Sequence, residues 1–232
     1  MLLIPLKRGE LCAYLPQNAV GAEIGVSRGE FSRVLLAKGN PQRLHLIDPW
    51  EKPADLLDQS DRPPRAKADQ VHRSVLALFA EEIRAGRVVV HRQYSQEALA
   101  GFPPGYLDWV YIDGAHDEKN VIEDLAACAA RMKSGGLIFG HDYTDRIPGF
   151  GVVSAVNRFV RTTEWRFLAL TIEDVPTFVL ARDLDHPRVN MFLGLLLRLV
   201  PGMVELRNDP FDGYRHREHV FDEGGRNIVM SF

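Results

Sequence analysis

Seven short runs rich in β-branched and aliphatic residues alternate with stretches whose apolar residues recur at helical spacing, and few architectures accept that alternation. The runs are Val20–Val26, Arg43–Asp48, Arg87–His91, Leu107–Asp113, Gly136–Gly140, Phe167–Thr171 and Thr177–Ala181. Several are nearly continuous apolar segments, as strands buried on both faces are. Between them, Val71, Val75, Leu78, Phe79 and Ile83 form one apolar stripe, Val121, Leu125, Cys128, Ala129 and Met132 a second, and Val152, Val153, Val156, Phe159 and Val160 a third. The pattern predicts an α/β fold with a doubly wound, mostly parallel seven-stranded sheet covered by helices on both faces. The second helix is expected to stop at Ser134-Gly135-Gly136, where glycine supplies a left-handed cap.

A chain of 232 residues, 46% of them hydrophobic, can bury one sizeable core and is long for a single domain. We expect a main domain over residues 1–182 and a C-terminal extension over 183–232. Glu51 to Lys67 contains three prolines and no apolar period, which predicts a long surface loop, either a lid beside a strand end or a plain connection. In the extension, Met191 to Val200 is strongly apolar, broken by Arg198 and stopped by Pro201; ten residues cannot span a bilayer, so a helix docked on the domain or on a second copy in a homodimer is expected. Asn208 to Phe232 mixes Phe211, Tyr214, His216, His219 and Phe221 with charges, and either caps a site or packs.

The net charge of −3 is spread without long like-charge runs, so nucleic acid is not an expected partner. Cys12 and Cys128 lie far apart and form neither a disulfide framework nor a C-x-x-C site. They are expected to be small buried hydrophobes in a reducing, cytoplasmic setting, since Met1 to Leu6 is too short an apolar run for a signal peptide.

Ligands of doubly wound sheets bind beyond the carboxyl ends of the strands. The first run ends in Gly25-Val26-Ser27-Arg28-Gly29, a G-x-S-x-G string that in a hydrolase elbow would make Ser27 a nucleophile. Such an elbow needs preceding strands for its oxyanion hole, and only 24 residues lie before Gly25. A dinucleotide turn fits poorly as well, because the middle glycine of G-x-G-x-x-G is missing. Gly25 permits a tight turn, and Gly29 lets the amides at the helix start approach a ligand carboxylate. Asp48, ending the second run, is placed to hold a ribose, and Glu23 inside the turn suits a cationic group. Ribose, ammonium and carboxylate together describe S-adenosylmethionine.

Four segments, "AEIGVSRGEFS" (22–32), "LHLIDPW" (44–50), "LDWVYIDGAH" (107–116) and "MKSGGLIFGHDY" (132–143), resemble in order and spacing the class I S-adenosylmethionine-dependent methyltransferases. Within that class the chain is similar to the metal-assisted O-methyltransferases of the catechol, macrolide-sugar and cephalosporin-biosynthesis type. The resemblance implies a Rossmann-like methyltransferase fold over roughly residues 10–182, with Glu23, Gly25, Ser27, Gly29, Asp48, Ser95 and Asp113 around the cofactor and Ser95 at the adenine. It also implies a divalent cation, Mg²⁺ or Mn²⁺, at Asp113, His141 and Asp142. The histidine at 141 departs from the usual oxygen pair and leaves Fe²⁺, Zn²⁺, a carboxylate-only site or no metal open. His116 and His141 are candidate bases, and Asp113 is counted among the catalytic groups; each histidine could instead be structural, His116 as a helix cap or beside the adenine.

Where amino methyltransferases carry an Asn- or Asp-Pro-Pro-aromatic strand end, this chain reads Ile112-Asp113-Gly114, which favours a hydroxyl acceptor, a sugar or a phenol. An NAD-binding oxidoreductase and a catalytically silent S-adenosylmethionine-binding module are the competing expectations.

Overall fold

The structure is a computed structural model that describes residues 1–51, 65–206, 218–223 and 226–231. In chain order it contains β1 (Leu2–Ile4), α1 (Arg8–Leu11), β2 (Val20–Ile24), α2 (Glu30–Gly39), β3 (Arg43–Ile47), α3 (Arg65–Leu78), α4 (Ala80–Arg84), β4 (Val88–His91), α5 (Ser95–Ala100), β5 (Leu107–Ile112), α6 (Glu118–Ala129), β6 (Met132–Gly140), α7 (Val152–Thr162), β7 (Arg166–Thr171), β8 (Phe178–Ala181), α8 (Pro187–Leu199) and β9 (Val204–Glu205). Two further strands, β10 (Glu218–Glu223) and β11 (Arg226–Ser231), form an antiparallel hairpin.

All seven expected strands form, but the sheet has nine, in the order β4-β3-β2-β5-β6-β8-β7-β1-β9. One addition comes from the start of the chain and the other from the expected C-terminal extension. Leu2–Ile4 pairs parallel with β7, and Val204–Glu205 closes that edge antiparallel to β1. Neither is long enough to show an alternation in the sequence. β8 runs antiparallel between β6 and β7, so the sheet is mixed.

Alternate residues of the central strands feed two cores, one per face of the sheet. Leu44, Leu46, Trp109, Tyr111, Leu137 and Phe139 join Leu35 of α2, Val75 of α3 and Val189, Phe192 and Leu196 of α8. Ile47, Val110, Ile112 and Ile138 join Leu99 of α5, Val121, Leu125 and Cys128 of α6, and Val152, Val156 and Phe159 of α7. Each such side chain contributes about 1.5–3 kcal/mol by leaving water. The helical stripes read from the sequence are in the main the faces that meet the sheet, except that Leu78 is exposed and Met132 belongs to β6.

Three local expectations change. Gly135 and Gly136 do not cap α6, which ends at Ala129; they lie within β6, where a Cβ on Gly135 would come within 2.0 Å of His186 Nδ1 and one on Gly136 within 2.6 Å of Met132 Cε. Close packing, rather than a left-handed turn, calls for these glycines. The single helical stripe through Val71 and Ile83 divides into α3 and α4 at Phe79, whose φ and ψ of −109° and 22° leave the helical region. Of the expected loop Glu51 to Lys67, residues 65–67 begin α3, while 52–64 lie outside the described residues, as do Phe211, Tyr214 and His216.

The apolar segment Met191 to Val200 is helical and docks on the same chain. Val189, Phe192 and Leu196 are buried, and Arg188 pairs with Asp108 on the sheet. Met191, Leu195 and Leu199 remain exposed on its outer side. Cys12 and Cys128 are free and buried, as expected. Among the described residues no helix is long and apolar enough to cross a membrane.

Candidate functional site

Strand order fixes where a ligand can sit. From β2 the chain steps outward to β3 and β4, then returns to place β5 on the other side of β2, so the connections leave β2 and β5 in opposite directions and open a crevice beyond their carboxyl ends. The two ends are fastened together: Asp113 donates its amide to Ile24 at 2.7 Å, and Gly25 donates to Ile47 at 3.0 Å.

The turn after β2 is built from left-handed backbone. Gly25, Ser27 and Gly29 have φ of 86°, 50° and 78°. A Cβ on Gly25 would lie 2.0 Å from the Asp113 carbonyl oxygen, so this glycine serves both the turn and the approach of two strand ends. Gly29 is the residue before α2, whose first turn receives no side-chain cap, leaving its amides free for an acceptor. The sequence suggested that a side chain at Gly29 would obstruct a ligand; in the fold its first obstacle is the Phe79 ring, 2.8 Å away.

Asp48 stands beside this turn and holds it. One carboxylate oxygen, Oδ2, accepts the amides of Val26 and Ser27, both at 2.9 Å, and Oδ1 accepts that of Trp50 at 2.6 Å. The Trp50 indole in turn donates to the Ser27 carbonyl at 2.8 Å. Ser27 thus contributes its backbone amide and carbonyl to a network around Asp48 and Trp50. Glu23 is only 1% exposed and takes the Ser32 hydroxyl; burial drives its carboxyl well above the ordinary range.

Across the crevice lies a cluster that the sequence drew from two separate segments, 107–116 and 132–143. Asp113, His141 and Asp142 each place one ligand-capable atom within 4.8 Å of the others. His141 Nδ1 is 3.0 Å from Asp142 Oδ1 and 3.8 Å from Asp113 Oδ1, while His116 Nε2 is 2.8 Å from Asp142 Oδ2. Asp142 holds this position with φ of 60°, a conformation that aspartate tolerates better than most residues. His116 lies flat on Phe150, their centroids 4.4 Å apart. One oxygen of Asp113 faces His141, and the other accepts from Arg8 of α1 at 2.8 Å.

The two carboxyls of the cluster titrate in opposite directions. Burial raises Asp113, with neighbouring Asp142 adding to the rise and the His141 and Arg8 charges opposing it. Burial also works against ionisation of Asp142, but hydrogen bonds from His116 and His141 outweigh it and hold that carboxyl well below the ordinary carboxylate range. One oxygen donor that stays charged, a second that a cation would recharge, and an imidazole nitrogen make a set suited to a divalent ion such as Mn²⁺ or Fe²⁺.

Ser95 opens α5 at the end of β4, the third strand end of the crevice. Its hydroxyl donates to Asp124 Oδ1, which Gln96 Nε2 also reaches at 3.0 Å.

Arg8 and Asp124 were not anticipated. Arg8 lies outside every strand end and reaches the crevice only because β1 joins the far edge of the sheet; its guanidinium sits 4.7 Å from the Phe31 ring centre. Asp124 did leave a signal: it occupies the i+3 position between Val121 and Leu125 on the buried stripe of α6, where a carboxylate needs partners.

A methyltransferase domain family model matches residues 22–143, from β2 to just beyond β6. No curated protein matches the chain. Solved structures with the same fold include a proposed rRNA methylase from Clostridium thermocellum, 12% identical, with a TM-score of 0.53 over 74% of this chain and 90% of that one. A proposed methyltransferase from Streptococcus mutans, solved with S-adenosylhomocysteine, is 10% identical, with a TM-score of 0.52 over 75% and 98% of the two chains. The tRNA methyltransferase TrmK of B. subtilis is 12% identical, with a TM-score of 0.52 over 76% and 66%.

Proposed function

The chain belongs to the methyltransferase domain family, whose chemistry draws on S-adenosylmethionine, and on that premise we propose that it methylates a hydroxyl oxygen of a small molecule, a sugar or a phenol, with a divalent cation at Asp113, His141 and Asp142. The observation that carries this reading is the facing of two unlike half-sites across one crevice: the uncapped amides at the start of α2 with Asp48 on one side, and a carboxylate–imidazole cluster on the other.

In this reading the amides at the start of α2 receive the methionine carboxylate, and Asp48, which already fixes the turn, presents the remaining lone pair of Oδ1 to the ribose. Ser95 lies at the adenine. The acceptor oxygen attacks the methyl carbon in line, the carbon–sulfur bond breaks, and its electron pair turns the sulfonium into a neutral thioether. A cation held by the cluster would lower the acceptor hydroxyl's pKa and orient it.

The chain's own groups supply the rest. Asp142 keeps His116 and His141 turned toward it; the free ring nitrogen of His116 can take the hydroxyl proton, and His141 can do so where it does not hold the cation. Asp113 closes the crevice floor between the two half-sites. Near-attack positioning of two bound substrates supplies the larger part of the acceleration in such a transfer.

The test is transfer of labelled methyl from S-adenosylmethionine to catechol and to sugar-hydroxyl acceptors, with Mg²⁺ or Mn²⁺ and then with chelator. Hydroxyl methylation that chelator stops is the expected result. Methylation of an RNA or of an amine, or turnover indifferent to chelator, would refute the acceptor or the metal respectively.

A further inference from the structure

A cavity of about 500 Å³ opens between α1 and α2, within the roughly 300–1,000 Å³ range of small-molecule pockets. One wall is a single face of α2, where Phe31, Val34 and Lys38 stand at i, i+3 and i+7; the first two are half-buried and apolar, and the third is exposed. Arg8 of α1 stands where this cavity meets the Asp113 cluster. It lines the cavity, its guanidinium lies over the Phe31 ring, and its Nη1 donates to Asp113 Oδ2 at 2.8 Å.

Two of the three acids in the lining are already engaged. Glu10 takes the Lys7 amide at 2.8 Å, and Glu173 takes the Arg8 amide at 3.1 Å on one oxygen and the Thr171 hydroxyl at 2.7 Å on the other. Glu30 is left facing three cations, of which Lys7 and Lys38 form no ion pair among the described residues. Arg8 also offers more than Asp113 uses. That bond takes one of the five N–H donors of a guanidinium, and 37% of the Arg8 side chain stays exposed. A planar fork of donors beside a half-buried aromatic wall matches a carboxylate carried on a ring.

We propose that Arg8 is a specificity-determining residue that receives a carboxylate of the acceptor, with the acceptor's ring along Phe31 and Val34 and its hydroxyl at the cluster. The proposal rests on the hydroxyl-acceptor reading above and narrows it to a phenol bearing an acid group. The apolar wall favours an aromatic ring over a sugar, and the cations favour the acid over its neutral relatives.

Calorimetric titration of 4-hydroxybenzoate and of its methyl ester, which has the same ring and no charge, tests this with the protein saturated in S-adenosylhomocysteine. Wild type should favour the acid at least tenfold, the scale of a hydrogen bond to a charged group. Arg8→Met, which keeps the length of the side chain and drops its charge, should weaken the acid about tenfold and leave the ester within twofold. Arg8→Lys, which keeps a counter-ion for Asp113 and loses the fork, should fall between the two. Equal binding of both compounds by wild type, or binding of neither, overturns the proposal whatever the variants do. Variants that keep the full preference, or weaken acid and ester alike, also overturn it and leave Arg8 a counter-ion of Asp113. A preference that depends on Arg8 in a protein that transfers no methyl group to hydroxyls would instead remove the hydroxyl reading beneath it.

Discussion

The two sides of the crevice are stabilised in opposite ways. On the β2 side, polar groups satisfy one another through backbone: Asp48 takes three amides, and Trp50 returns a hydrogen bond to the same turn. On the β5 and β6 side, two carboxylates are held near each other and are balanced by Arg8 and two imidazoles. The turn on the first side is fixed before any ligand arrives, and only the amides at the start of α2 wait for an acceptor. The second concentrates negative charge, and a bound cation or a reacting hydroxyl would relieve it. A cofactor common to many enzymes suits a rigid turn, whereas chemistry on an acceptor needs groups poised between protonation states.

If the halves divide the work in this way, substitutions should separate cleanly, and the largest separation is expected at Asp142. Asp142→Ala should lower methyl transfer roughly 100-fold or more, by about 3 kcal/mol, the scale of losing one preorganised electrostatic contact. Labelled-methyl assays read this directly. Next, Gly25→Ala should destabilise the fold by at least ~2 kcal/mol, because it combines a φ of 86° with a Cβ 2.0 Å from the Asp113 carbonyl. Thermal denaturation checks it, and a variant as stable as wild type would show that the strand ends are not as closely locked as the comparison requires. Asp48→Ala should weaken S-adenosylhomocysteine binding about tenfold, as expected for loss of charge-assisted hydrogen bonds worth roughly 1.5–3 kcal/mol each. Unchanged affinity would mean that the turn holds itself.

The smallest effect concerns pH. Asp124 has a folded value of about 6, above the ordinary carboxylate value of 3.8. Its protonated form is thus favoured on folding, so the stability linked to it is fully present below about 4 and is lost as pH rises through about 6. Asp124→Asn, neutral throughout, should melt a few degrees above wild type at pH 8, with the gap narrowing as pH falls below about 6 and closing near pH 4. A gap that widened toward low pH would reverse the sign.

Legibility in the sequence followed the same division. The seven strands, the helical stripes and the glycine turn depend on local periodicity and on residues adjacent in the chain, and all of them could be read. Asp113, His141 and Asp142 could be listed because each follows a strand and the connections are regular. Their distances could not, since β5 and β6 are brought into register by the whole sheet. Arg8 was invisible because β1 is three residues long and pairs with a strand 167 positions later, Leu2 opposite Ala169. The glycines at 135 and 136 were misread because their cause, contact with Met132 and His186, is tertiary and carries no local mark.

Titration of S-adenosylhomocysteine into wild type and Asp142→Ala, each with and without Mn²⁺, tests the division of the site most directly. The account predicts micromolar binding to both proteins, within about threefold of each other, and Mn²⁺ binding to wild type alone. Affinity for S-adenosylhomocysteine that collapses in Asp142→Ala would place this carboxylate in the cofactor half and contradict the account.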